Sequence, residues 1–216
     1  ALARFLPTWQ SITNPRRGLD GLLDVIEQLQ GVPLPASTLE HEILPARVND
    51  FKVSDLDELC TAGEVVWRGF EKTGTGDGRI GLYLADSYLS LNRPTETIDG
   101  ELHDQIRERL AERGASFFDD IARDLGGFRN DILNAMWDLV WAGEITNDTL
   151  APLRSLRRST KPASKSRSKL RSRSRAFRSR RTSKSPGSEG RWSLLVPPNA
   201  EQLSTTEKQT ALATQL

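Results

Sequence analysis

A thirteen-residue pattern that occurs twice, 80 residues apart, constrains the fold of this chain more than any other feature. The two copies are residues 55–67 and 135–147. In both, an apolar helical face ends at Ala-Gly-Glu, and residues that favour a β-strand follow at once. Glycine adopts a positive φ at no steric cost, so it suits the C-cap of a helix. The repeat therefore predicts two helices that each end at a glycine and lead directly into a strand.

Two further helices are predicted before each copy of the repeat. In the first unit, apolar residues between Leu19 and Leu29 recur with helical spacing, and Ser37 with Glu40 opens the next helix. Strands at residues 65–70 and 79–85 flank a glycine-rich turn, which is typical of a β-hairpin. Three helices followed by a hairpin is the order of a winged helix.

The second unit repeats this order with a wing that looks short. We therefore expect an α+β, mainly helical chain with tandem winged-helix domains at residues 1–93 and 94–154.

Charge is distributed very unevenly along the chain. Residues 1–153 contain 14 Lys and Arg against 26 Asp and Glu, whereas residues 154–191 contain 15 against 1. The Ser/Arg-rich stretch 155–190 has almost no apolar residues, so we expect a disordered basic linker with a polyanionic partner. Residues 191–196 are predicted to begin a further, truncated domain (191–216), in which Ser204 and Glu207 open a last helix.

The remaining composition excludes several classes of protein. A single cysteine, Cys60, rules out an intrachain disulfide, and its place on the inner face of a helix favours a buried core residue. His41 and His103 have no partner at ligand spacing, so no metal site is predicted. No apolar run approaches the ~20 residues of a membrane span. The chain lacks an initiator methionine, and we expect a cytoplasmic, nucleoid-associated piece of a longer protein.

Several motifs carry a family resemblance. They cover residues 1 to about 154 almost continuously and resume at 191–195. They are Arg4-Phe-Leu-Pro-Thr-Trp-Gln10, Glu27-Gln-Leu-Gln-Gly-Val-Pro-Leu-Pro-Ala36, Ile43-Leu-Pro-Ala-Arg-Val48, Leu56-Asp-Glu-Leu59, Ala62-Gly-Glu-Val-Val-Trp67, Trp137-Asp-Leu-Val-Trp-Ala-Gly143, Thr146-Asn-Asp-Thr-Leu-Ala-Pro-Leu153 and Arg191-Trp-Ser-Leu-Leu195. Together they resemble the C-terminal region of the large helicase-related (Lhr) DNA helicases in their long bacterial form.

The resemblance implies a parent enzyme with an ATP-driven 3′-to-5′ DNA translocase, followed by winged helices and a β-barrel-like module that act in DNA repair. The motor is missing from these residues, because the sequence contains no Gly-x4-Gly-Lys-Ser/Thr phosphate loop. We therefore expect no cofactor in this chain, and we expect ATP and Mg only for the absent motor domains. Those domains, DNA and a second copy of the chain are the partners that the resemblance implies.

The same region of the family also resembles winged-helix DNA glycosylases, whose motif is Gln, an apolar residue and Gln at the end of a helix. Gln28-Leu29-Gln30 fits this pattern. Two amides one residue apart could orient a water against the sugar carbon that is exposed when a base is expelled. Glutamines near a helix end are also commonly solvated surface or local caps, so both interpretations stay open.

The third helix of each unit is acidic or apolar, unlike a helix that reads the major groove. We therefore expect both helices to pack against protein, with Trp137 and Trp141 as a core or interface stripe. DNA contacts are expected elsewhere, with a solubilising role as the alternative for the tail. The candidates are Arg16, Arg17, Arg47, Lys52, Arg68, Lys72 and Arg79, and in the tail Arg171, Arg173, Arg175, Arg178, Arg180 and Arg181. Three functions stay open: a DNA-binding and assembly module, base excision, and an oligomerisation scaffold.

Overall fold

The computed structural model of the chain describes residues 2–74, 76–92, 97–160, 185–200 and 204–215. The first unit contains the predicted helices and closes with the predicted hairpin. Its elements are α1 (Leu2–Trp9), β1 (Arg16–Arg17), α2 (Gly18–Leu29), β2 (Leu34–Pro35), α3 (Ala36–Thr38) continuing as a π-helical turn (Leu39–Ile43), β3 (Val48–Asn49), α4 (Val53–Ala62), β4 (Val65–Lys72), β5 (Gly78–Leu84) and α5 (Tyr88–Leu91). Strand β5 pairs antiparallel with both β2 and β4, so the sheet order is β2-β5-β4.

Helical spacing of apolar residues builds the core of this unit. Leu22, Val25 and Ile26 lie on one face of α2 and are fully buried. They belong to the same apolar cluster as Leu56 of α4 and Trp67 of β4. Removing these side chains from water is the main driving force for docking the two helices on the hairpin.

The second unit has the same order of helices, but its sheet is completed from a distant part of the chain. Its elements are α6 (Glu101–Arg113), β6 (Ser116–Phe117), α7 (Phe118–Leu125), α8 (Arg129–Trp141), β7 (Ile145–Asn147), α9 (Ala151–Thr160) and β8 (Arg191–Leu194), and α10 (Thr205–Gln215) follows. Strand β8 pairs antiparallel with both β6 and β7, so the sheet order is β6-β8-β7. This order matches that of the first unit.

Strand β8 corrects the domain boundaries expected from the sequence. It does not begin a further domain, because it is the central strand of the second unit. Trp192 of β8 is fully buried and packs edge to face against Trp137, with ring centroids 5.6 Å apart. The second strand of this wing follows an insertion after residue 147, and the wing is short as expected, with strands of 3 and 4 residues against 8 and 7 in the first unit.

The two copies of the sequence repeat make the same hydrogen bonds. Gly63 and Gly143 cap their helices with φ of 81° and 74°. The next backbone N–H, of Glu64 or Glu144, donates to a carbonyl one turn back at 3.0 Å in both copies. The carbonyl oxygens of Glu64 and Glu144 accept from the residue that follows β5 or β8, each at 2.9 Å. The predicted junction of helix, glycine and strand is confirmed in both units.

Both ends of the expected basic linker, residues 155–190, are folded. Residues 151–160 form α9, and residues 185–200 include a turn that returns to α8, where the indole N–H of Trp137 donates to the carbonyl of Gly187 at 3.1 Å. Residues 161–184 lie outside the described residues, so disorder there stays a prediction.

The two units share one continuous apolar core. The indole N–H of Trp67 in β4 donates to the carbonyl of Asn147 in β7 at 2.9 Å, and the hydroxyl of Thr146 donates back to the carbonyl of Trp67 at 2.7 Å. At Gly69, a Cβ would overlap the carbonyl of Val140 in α8. The backbones of β4 and α8 therefore approach more closely than any side chain at residue 69 would permit.

Candidate nucleic-acid interface

The third helix of each unit, α4 or α8, packs against the other unit. Asp57 of α4 accepts hydrogen bonds from the backbone N–H of Leu150 at 3.0 Å and from Arg154 at 2.7 Å. In α8, Trp137 is buried, and the ring of Trp141 lies so close to Gly78 of the wing that a Cβ there would overlap it. The prediction that these helices face protein is confirmed.

Arg154 of α9 ties the second unit to the first through two carboxylates. Its guanidinium donates to both oxygens of Glu40 in the π-helical turn, at 2.6–3.0 Å, and to both oxygens of Asp57 in α4, at 2.7 and 2.9 Å. The side chain of Glu40 is 3% exposed. Burial alone would lower the pKa of Arg154, but the hydrogen bonds to Asp57 and Glu40 outweigh it and raise that pKa. Arg154 is therefore charged and fully engaged.

Sequence reasoning did not single out this cluster, because Arg154 was grouped with the basic segment. A signal was present in the spacing of Leu153 and Leu156, which lie one turn apart and are buried and half-buried. Such spacing indicates a helix with one face on protein rather than a solvated chain.

Most of the predicted DNA contacts on the first unit are exposed. Arg16 pairs with Asp24 at 3.4 Å and Arg79 with Glu71 at 3.1 Å, and all four side chains are about half-exposed. Such pairs are weak in water and leave the cations available to an anionic partner. The pairing of β4 with β5 sets Lys72 opposite Gly78 and Glu71 opposite Arg79, so Lys72 and Arg79 are both at the end of the hairpin but on opposite faces of it. The exposed members of the predicted set are Arg16, Arg17, Lys52, Lys72 and Arg79.

The prediction that Arg68 contacts DNA is wrong, because its side chain is buried within the protein. It is 4% exposed, donates to the side-chain carbonyl of Asn92 at 2.5 Å and lies 5.0 Å from the centre of the Phe70 ring. A Cβ at Gly143 would overlap its guanidinium, so the helix C-cap of the second unit covers it. Its position on a wing strand suggested exposure, and the docking of the second unit removed it.

Arg47 is half-buried and acts mainly within the protein. Its guanidinium donates to the carbonyl of Ile43 at 2.9 Å and to the side chain of Gln10 at 3.3 Å. Desolvation by burial lowers its pKa. Arg47 therefore holds the segment after α1 against the π-helical turn, and a large part of its hydrogen-bonding capacity is used there.

Gln30 closes the end of α2 against the sheet. It is 8% exposed, its side-chain oxygen accepts from the backbone N–H of Leu84 at 2.9 Å, and its side-chain nitrogen donates to Gln215 of α10 at 3.3 Å. Gln215 in turn donates to the carbonyl of Glu27 at 2.6 Å. By contrast, the side-chain oxygen of Gln28 is buried and accepts no hydrogen bond from the described residues.

A groove of about 320 Å³ lies beside this corner and is acidic. Carboxylates on its wall would repel a phosphate, so it does not extend the Gln28–Gln30 corner into a DNA-binding surface. The carboxylates are Asp24, Glu27, Glu64 and Asp86.

The other candidate residues show no convergence in the described part of the chain. No group of three or more His, Cys, Asp or Glu that could hold a metal ion occurs there. Burial raises the pKa of the Cys60 thiol to about 12, which fits the predicted core residue rather than a nucleophile. The six tail arginines, from Arg171 to Arg181, lie outside the described residues. None of the helices in the described ranges combines the length and the apolar character that crossing a membrane requires.

Helices α2, α3 and α4 with the sheet β2-β5-β4 define the first unit as a winged-helix domain. Residues 1–85 match the family model for the winged-helix domain of large helicase-related proteins. Residues 1–85 therefore contain the winged-helix domain of the large helicase-related family.

Two curated relatives align with the chain over 215 residues. One, from Mycolicibacterium smegmatis, is named Lhr helicase/probable uracil glycosylase and is 40% identical over 95% of this chain. The other, from Escherichia coli, is named Lhr helicase/uracil glycosylase and is 41% identical over 91% of this chain. The chain spans only 14% of the length of each relative.

Proposed function

We propose that this chain is a DNA-binding and assembly module of an ATP-dependent 3′-to-5′ DNA helicase that acts in DNA repair, with the motor in other parts of the parent protein. The observation that carries the proposal is the winged-helix domain of residues 1–85, whose wing exposes Lys72 and Arg79. A cationic hairpin of this kind can contact backbone phosphates. The helicase names of the two relatives support the same assignment, and ATP and Mg would bind only to the motor.

The second unit is, in this proposal, another winged helix with a supporting role. Its strand order β6-β8-β7 corresponds to β2-β5-β4, and its helix C-cap is equivalent to that of the first unit. Because its third helix and α9 pack against the first unit, it holds the first wing in one orientation. The binding it supports is to the phosphate backbone, since the third helices are used for packing rather than for reading bases.

Fluorescence anisotropy with a labelled duplex and a labelled single strand tests the main proposal. We expect Lys72→Glu to weaken binding several-fold and to lower the salt dependence by about one counterion. The matched control is Lys208→Glu on α10, an exposed lysine away from the wing, which should leave affinity unchanged. No binding of either DNA by the wild-type chain would refute the proposal.

The basic segment is tested separately by deleting residues 162–184, which contain all six predicted tail arginines. A contribution to DNA binding predicts weaker affinity and a shallower salt dependence in the deletion variant. Equal affinity and equal slopes would leave it as a solubilising segment.

A second candidate function is base excision at Gln28 and Gln30. Two observations favour it: the buried, unengaged side-chain oxygen of Gln28, which could accept from a water, and the glycosylase names of both relatives. Both ends of the Gln30 amide already have partners, so the water would bind to Gln28 while Gln30 fixes the end of α2 against the sheet. Duplex DNA containing uracil, alkylated purine or a crosslink would be incubated with the chain and assayed for abasic sites. Gln28→Ala should abolish product and the exposed-glutamine control Gln105→Ala should not.

A third candidate is a homo-oligomeric scaffold. Its support is an apolar patch on and after α1, where Phe5, Leu6, Trp9 and Ile12 are 46–57% exposed. Such a patch is commonly buried against another protein surface. Light scattering of the chain without DNA should give a mass above that of the monomer, and Trp9→Glu should reduce it. A monomer at all concentrations would count against this candidate.

A further inference from the structure

A groove lies where α9 of the second unit packs against the π-helical turn and the start of α4 in the first unit. Its volume is about 330 Å³. The residues that line it are Glu40, His41, Val53, Arg154, Arg157 and Arg158. Because both units contribute to its walls, the groove exists only while α9 is docked on the first unit.

The groove presents positive charge although one wall contains a carboxylate. The Glu40 carboxylate is buried and accepts three hydrogen bonds from Arg154, which also pairs with Asp57. These three groups together carry one negative charge, against the two positive charges of Arg157 and Arg158. Of the lining residues, Arg158 and His41 are exposed and Arg157 is half-buried. A ligand that enters the groove therefore meets arginine side chains rather than the carboxylate.

Arg157 is held in place by the backbone of the first unit. Its two terminal nitrogens donate to the carbonyls of Ala36 and Ser37, at 3.3 and 3.4 Å. A guanidinium that is already positioned loses less conformational entropy when it binds an anion than a mobile side chain does. Arginine also matches the spacing of two phosphate oxygens with two parallel N–H groups.

We propose that this groove binds one phosphodiester group of a DNA strand, through Arg158 and Arg157 with His41 at the rim. The inference rests on the proposed DNA-binding function and names a contact point for it outside the wing. Residues 1–153 carry a net charge of −12, so most of the folded surface repels a nucleic acid strand. The groove is a local exception. Val53, the first residue of α4, completes its lining.

The test uses the complete 216-residue chain and fluorescein-labelled duplex and single-stranded DNA at several salt concentrations. Arg158→Glu and the double variant His41→Glu/Arg158→Glu are compared with Arg113→Glu. Arg113 is an exposed arginine at the end of α6 and does not line the groove. Arg113→Glu therefore changes the net charge of the chain as much as Arg158→Glu does. Thermal unfolding of each variant checks that the fold is intact, which we expect because all three side chains are exposed.

We expect Arg158→Glu to weaken DNA binding about 5–10-fold and to lower the salt slope by about one. The double variant with His41→Glu should bind DNA more weakly still. Arg113→Glu should change affinity less than about twofold. Inorganic phosphate is then added while sodium chloride is reduced to keep the ionic strength constant. We expect no displacement of DNA, since a free ion lacks the contacts that the rest of the strand makes. If it does displace DNA and Arg158→Glu abolishes that effect, the groove is a site for free phosphate and the inference is overturned.

Two further outcomes separate this inference from the function on which it rests. Equal losses in Arg158→Glu and Arg113→Glu would mean that only net charge matters, and would overturn the groove while leaving the DNA-binding function standing. Absence of DNA binding by the wild-type chain would overturn both.

Discussion

Replacing Arg154 by alanine should separate the two units energetically. The Glu40 carboxylate, 3% exposed, would stay buried without its cation, while Asp57, 26% exposed, would recover partial contact with water. Removing one partner of a buried ion pair costs about 3–5 kcal/mol. We expect Arg154→Ala to lower the free energy of unfolding by about 3 kcal/mol, measured by urea titration of tryptophan fluorescence.

Two controls determine whether burial is the cause. Arg123→Ala removes an arginine from the exposed pair with Asp120 and should cost under about 0.5 kcal/mol. The double variant Arg154→Met/Glu40→Leu removes the buried charge together with its partner and should recover at least half of the loss, because apolar replacements of buried pairs are often neutral. A loss below about 1 kcal/mol in Arg154→Ala would refute the reasoning, since it would mean that water reaches Glu40 freely.

Four other outcomes follow from the packing. With its pKa raised to about 12, Cys60 should react with a disulfide reagent about 1,000-fold more slowly at pH 8 in the folded chain than in denaturing urea, measured by absorbance. Gly69→Ala should cost about 3 kcal/mol in urea titration because of its overlap with Val140. Gly63→Ala, with a left-handed φ of 81° but nothing near its Cβ position, should cost only about 1 kcal/mol. Deleting residues 162–184 should change the free energy of unfolding by under about 1 kcal/mol, since loop closure depends weakly on length; a larger loss would indicate contacts from that segment.

Local signals predicted the parts of the fold that depend on neighbouring residues. Gly63 and Gly143 end their helices as expected because a positive φ is a property of the residue itself. Ser204 and Glu207 form the expected reciprocal cap, because the two residues are only one helical turn apart. The backbone N–H of Glu207 donates to the Ser204 hydroxyl at 3.3 Å, and the N–H of Ser204 donates to the Glu207 carboxylate at 2.7 Å. Ser37 was expected to open the second helix but lies inside it, because α3 begins one residue earlier, at Ala36.

Features that depend on distant parts of the chain were not predictable in this way. The position of β8 in the second sheet depends on a strand pairing across the basic insertion, where no turn signal connects the partners. The burial of Arg68 depends on how the second unit docks, and the pattern of β4 alone is consistent with a solvated wing. The candidate site divides in the same way, since the exposed wing cations were predicted and the groove between the units was not.

The insertion between β7 and β8 makes the second unit a structure of two complementary pieces. The backbone N–H of Asp148 donates to the carbonyl of Arg191 at 3.0 Å, and the N–H of Arg191 donates to the Asp148 carboxylate at 2.8 Å, so both ends of the insertion meet. A protease cut within residues 161–184 would leave two fragments that stay associated through β8 and the buried Trp192. The two fragments would separate on a denaturing gel, whereas a native mass measurement would still give the mass of the whole chain. The same site could therefore accept an inserted reporter domain without disturbing the fold around it.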